Sequence, residues 1–150
     1  MANYPQLDNA SGVWNLREVY DAVMGGYWPN ANSKGLVAGG TDGSAPYIKS
    51  IDSFTMASAG NASFFGDLSV ARFSVAGMSS FTRSVFGGGY SGSGSNVLDY
   101  VTMSTEGNAA DFGNLLSAIG AGQAASNSTR AIYASNENTA SNTIQYITIS

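Results

Sequence analysis

The chain has no cysteine and no histidine, only three prolines among 150 residues, and few charges. Without cysteine there are no disulfides and no thiolate metal sites, and no redox compartment can be inferred. Without histidine there is no Ser-His-Asp or Cys-His pair, and no GxSxG elbow is present. Charged residues make up 11% of the chain, against about 25% in average soluble proteins. The formal net charge is −4, and Lys and Arg never cluster. Phosphate-backbone binding needs such clusters, so no nucleic-acid partner is expected. Apolar runs fall far below the roughly 20 residues of a membrane helix, and the first residues, Met-Ala-Asn-Tyr-Pro-Gln, lack the charged and apolar regions of a signal peptide. The reading is a soluble chain that does not insert in membranes.

What is present is 43% apolar residues, 19 glycines, and a surface palette of Ser, Thr and Asn. Neutral hydroxyls and amides keep a rigid β-surface wet without an aggregation-prone patch. Organisation changes near Asn30, giving a head (1–30) and a repeat region (31–150). In the head, Asn15 can cap a helix, Glu18 can reach back to it, and Leu16, Val19, Tyr20 and Val23 share one face. Gly25, Gly26 and Trp28-Pro29 stop it. One short helix is therefore expected near residues 15–25, flanked by Trp14 and Trp28. With Tyr20, these two form a candidate docking surface for the rest of the chain or a neighbouring subunit; Ile149 is a candidate at the other end.

The remainder repeats itself. An offset of 47 residues carries Asp52 onto Asp99, Thr55-Met56 onto Thr102-Met103, Gly60-Asn61-Ala62 onto Gly107-Asn108-Ala109, Phe65-Gly66 onto Phe112-Gly113 and Thr82-Arg83 onto Thr129-Arg130. Residues 144–149 match residues 98–103 at an offset of 46, and residues 34–40 correspond to 83–89, with a hairpin loop two residues longer in the earlier copy. A period of about 40 to 50 residues is typical of propeller blades and related arrays. Each unit reads as four short strands, in the complete copy near 73–78, 84–88, 97–103 and 110–116, with about ten strands in all.

The segments Arg83-Ser84-Val85-Phe86-Gly87-Gly88-Gly89-Tyr90, Asn96-Val97-Leu98-Asp99-Tyr100-Val101-Thr102 and residues 107–115 resemble the kelch blade. They are more similar still to kelch-like repeats in virion proteins of tailed phages, notably phages of marine bacteria. The head, with Ser11-Gly12-Val13-Trp14 and Tyr27-Trp28-Pro29, looks like a segment found beside such repeats. The blade tryptophan of kelch is missing. The resemblance implies an all-β chain of four-stranded kelch-like repeats, a partial β-propeller or related array, acting without catalysis in a phage particle. Its implied partners are other virion proteins and copies of itself, with a trimer weakly favoured because many phage fibres are threefold; a host-surface glycan is a further candidate.

Other motifs are weaker. Gly87 to Gly92 matches GxGxxG, but leads into a polar loop and a strand instead of a helix that could hold a pyrophosphate. Asp52, Asp67, Asp99 and Asp111 could pair as glycosidase carboxylates, yet Asp52 and Asp99 share a repeat position, which suggests a turn or strand-end role. The Thr41-Asp42-Gly43 loop is short of a calcium site, and sequons begin at Asn9, Asn61 and Asn127. No cofactor is expected; a kelch-like oxidase would need His and Cys ligands for copper. Arg83 and Arg130 suggest structural pairing, with Asp52 or Asp99 as candidate partners. If the chain recognises a ligand, its variable loops would do so: residues 41–47 with Asp42 and Tyr47, residues 90–96 with Tyr90 and Asn96, and residues 136–142 with Asn138. The first and last repeat units look unfinished, so self-association is expected.

Overall fold

The computed structural model describes residues 34–56, 60–134 and 143–149, with Leu16, Arg17 and Tyr20 in the preceding segment. Those three are helical and exposed, while Trp14, Trp28 and Asn138 lie outside the described residues. Two compact units divide the chain, Met1–Ala31 and Asn32–Ser150; the β-structure below belongs to the second.

The described residues hold ten strands in three antiparallel sheets. The first sheet is β1 (Lys34–Gly40), β2 (Ile48–Thr55) and β3 (Ser63–Asp67) in chain order. The second is a four-stranded meander of β4 (Ala76–Ser79), β5 (Arg83–Gly87), β6 (Ser95–Thr102) and β7 (Ala110–Ile119). In the third sheet β8 (Gln123–Ser126), β9 (Arg130–Ala134) and β10 (Ile144–Thr148) again pair in order. Each is all antiparallel because short hairpins join neighbours.

Strand boundaries follow the sequence period. Moving β2 by 47 residues gives the bounds of β6; the same shift turns β4 into β8 and β5 into β9. Turn chemistry repeats with it. Ser80 Oγ accepts the N–H groups of Thr82 and Arg83 at the β4–β5 turn, and Asn127 Oδ1 accepts those of Thr129 and Arg130 at the β8–β9 turn. Both are side-chain-stabilised turns of the kind Ser and Asn favour. The first strand of the complete unit starts later than expected: Phe73 makes only an isolated bridge, to Tyr90, before β4 begins. The loop before β6 is shorter than read, since Gly94 bridges back to Tyr90 and Asn96 already lies within the strand.

Alternation along the strands sorts side chains to two faces, and the second sheet buries both. Val85 and Leu98 pack with Ala131, Tyr133 and Ile149 of the third sheet and its flank. Phe86 and Val101 point the other way, against Ile51, Phe65 and Leu68 of the first sheet. Two apolar layers therefore separate three sheets. At the layer's edge β4 runs beside β8, where the Ser79 N–H donates to Ser126 Oγ at 3.0 Å. On the other side residues 107–109 lie along β3, joined by the Gly107 N–H to Phe65 O and the Ala109 N–H to Asp67 O.

Candidate functional site

Glycine doublets end the second strand of a unit, and their backbone builds the loop region. Gly39 and Gly40 have φ of 71° and 147°, Gly88 and Gly89 of 64° and 93°, conformations that cost a side-chain-bearing residue about 1–2 kcal/mol. A Cβ on Gly39 would collide with the carbonyl of Arg72, and one on Gly88 would meet the Tyr133 hydroxyl and press on the Ile119 carbonyl. The second glycine of each pair donates to that same carbonyl: Gly40 N–H to Arg72 O at 3.0 Å, and Gly89 N–H to Ile119 O at 2.9 Å. Arg72 and Ile119 are one repeat apart, so this contact between the end of a unit's second strand and the chain leaving its sheet is itself repeated.

Asp99 supplies the other half of the joint. It is fully buried, accepting from Arg72 Nη2 at 2.9 Å, Ser69 Oγ at 2.7 Å and the Ser69 N–H at 3.2 Å. This corrects two expectations. Asp99 is a mid-strand acceptor that bridges two sheets, and its cation is Arg72, not Arg83. Arg83 instead stacks over the Tyr100 ring at 5.0 Å, and its repeat mate Arg130 stacks over Tyr146 at 5.0 Å. In the next interface Gln145 occupies the position of Asp99, and its Oε1 accepts the N–H of Leu116, the repeat counterpart of Ser69, at 2.6 Å.

The Arg72 guanidinium is buried, with Nη2 also reaching Phe86 O at 3.3 Å. Its Nε and Nη1, and the buried Tyr133 hydroxyl, find no hydrogen-bond partner among the described residues. Burial lowers the Arg72 pKa, opposed by Asp99, and raises that of Tyr133, opposed by Arg72.

Of the loop residues singled out from sequence, Tyr47 and Tyr90 come together. With Phe73 they form a half-buried aromatic cluster, ring centroids 5.2 Å apart for Tyr47–Phe73, 5.4 Å for Phe73–Tyr90 and 6.3 Å for Tyr47–Tyr90. The backbone bonds between Phe73 and Tyr90, 3.1 and 2.9 Å, hold the two segments side by side. Asp42 closes the loop beside Tyr47 by accepting the N–H and hydroxyl of Ser44, both at 3.1 Å, which lowers its pKa. That turn engages the carboxylate locally. Asn96 is exposed on β6.

Ile149, expected at a docking surface, is fully buried in the core between the second and third sheets, with its N–H donating to Thr129 O at 2.8 Å. The alternation of Gln145, Ile147 and Ile149 towards the second sheet puts it there.

Among the carboxylates weighed as a glycosidase pair, Asp99 is spent on Arg72, Asp67 bonds Lys49 at 3.1 Å, and Asp111 accepts the Gly113 N–H at 2.9 Å. Among the described residues there is no group of three or more acidic, histidine or cysteine side chains placed to hold a metal, and no helix long and apolar enough to cross a membrane. No protein-family model matches the chain, and no curated protein matches it.

Proposed function

We propose that the chain is a non-enzymatic structural component of a tailed-phage virion, located in the tail, a fibre or the particle surface. In this reading the three sheets are blades of a kelch-like array. One observation carries it: several of the strong polar side chains among the described residues serve the joints between strands and sheets. Asp99 and Gln145 take up backbone N–H groups of the preceding unit, and Arg83 and Arg130 lie on tyrosine rings of their own sheets. Polar groups placed at repeated joints suit a chain to holding a shape. The resemblance of residues 83–102 to phage kelch-like repeats gives that shape its setting. Mass spectrometry of gradient-purified particles, together with immunogold labelling by an antibody to the purified chain, tests the proposal. Stoichiometric recovery from particles and labelling at one fixed place are expected; recovery only from the soluble lysate would refute it.

A second reading has its own observation. The Tyr47–Phe73–Tyr90 cluster is an aromatic platform on polar loops, the kind of surface that stacks on a sugar ring and recognises a host-surface glycan. Glycan-array binding that disappears in Tyr47→Ala and Tyr90→Ala would favour it over a purely architectural role.

A further inference from the structure

The two outermost sheet faces of the repeat unit are copies of faces that already pack together inside it. Looking away from the second sheet, the first sheet presents Val37, Asp52, Phe54 and Phe64. Asp52 and Phe54 are the repeat counterparts of Asp99 and Val101, and Val37 is the counterpart of Phe86. Those three residues form the face that the second sheet buries against the first. At the opposite end, the third sheet turns Arg130, Ile132, Ile144 and Tyr146 outward. Ile132, Ile144 and Tyr146 are the counterparts of Val85, Leu98 and Tyr100, which face the third sheet. Val37 and Phe64 are 59% and 62% exposed, Ile144 and Tyr146 65% and 67%, whereas Phe86 and Leu98, the counterparts of Val37 and Ile144, are buried. One end therefore carries the receiving half of the inter-sheet contact, and the other carries the inserting half.

From this repetition we infer that two copies of the chain associate head to tail, the outward face of the third sheet in each packing on the outward face of the first sheet in the other. A heterologous contact of this kind continues an interface that the chain already makes twice. The faces also carry opposite charges: Asp52 lies on one and Arg130 on the other. Each copy brings three sheets, and closed rings of radial sheets hold about four to eight. Two copies supply six, inside that range, while three would supply nine. The contact closes a ring of two. It deepens the proposed structural role but does not depend on a virion setting, and association of the purified chain is tested separately from its place in a particle.

The experiment is multi-angle light scattering of the full chain across the micromolar range, with Val37→Glu on one face and Ile132→Glu on the other. Both positions are exposed, and circular dichroism melts check that each variant is folded; Val37→Thr and Ile132→Thr serve as milder versions. The wild type is expected at twice the chain mass and each single variant at the monomer mass. Mixed in equal amounts, the two glutamate variants are expected to form a one-to-one complex, because each retains the half of the contact that the other has lost. A wild type that stays monomeric, as it would if another segment of the chain covered either face, overturns the inference. So does a mixture that stays monomeric, so does a single glutamate variant that stays dimeric, which an isologous contact through the other face would give, and so does a mass that keeps rising with concentration, which means the array does not close.

Discussion

Arg72 and Asp99 stand where the next interface along the chain places Ile119 and Gln145, so one repeat uses an ion pair and the other does without it. Removing one charge of a buried pair leaves the other uncompensated and costs about 3–5 kcal/mol. Asp99→Asn is expected to lose that much in urea unfolding. The double variant Arg72→Ile with Asp99→Gln, which copies the neighbouring joint, keeps an acceptor for the Ser69 N–H and is expected to be clearly more stable than Asp99→Asn alone. Tyr133 makes a second case. Its buried hydroxyl has no hydrogen-bond partner among the described residues, and an unsatisfied buried polar group costs about 1–3 kcal/mol. Tyr133→Phe is therefore expected to match or exceed wild-type stability. Burial raises the Tyr133 pKa above its ordinary 10.0, so the fold favours the neutral phenol. That contribution is whole below the ordinary value and is lost as pH rises through the higher folded one. Alkaline unfolding should follow this course in the wild type and weaken in Tyr133→Phe.

Glycine geometry governs the elements. Gly39→Ala would set a Cβ against the Arg72 carbonyl at positive φ, whereas Gly43, at φ 104°, faces open space. Gly43→Ala is expected to cost about 1–2 kcal/mol for conformation alone, and Gly39→Ala substantially more in thermal or urea melts because the Arg72 carbonyl must also shift. The strands were legible in the sequence because the 47-residue offset carries turn residues as well as apolar ones: Ser80 and Asn127 differ in type but accept the same backbone groups. Arg72 was not legible, since its repeat counterpart is isoleucine and it sits in a connector without strand alternation. Tyr47 and Tyr90 stood out singly as loop aromatics. Their meeting was hidden because Phe73, which joins them, read as the start of a strand. Ile149 aligns with Met103, and both are buried in the structure; the alignment alone does not say which face of the strand the core takes.

At the scale of the whole repeat unit, the second sheet is covered on both faces and the first and third on one each. Local opening tracks buried apolar contact, so amide hydrogen exchange is expected to be slowest in β5 and β6 and faster by at least tenfold in β1 and β10. Uniform protection across the three sheets would contradict this layering. The repeated joint also has a bearing on how such a chain can change length. The stretch from one glycine doublet to the next carries an acceptor for the sheet behind it and a donor for the sheet ahead, so it works as a cassette. Duplicating 47 residues in frame with that joint would add one sheet and one full set of contacts. An insertion of one residue more within a strand would swap its two faces and turn Asp99's counterpart away from its donor. The size of the protein is thus quantised, and its growth by copying is written into where its glycines fall.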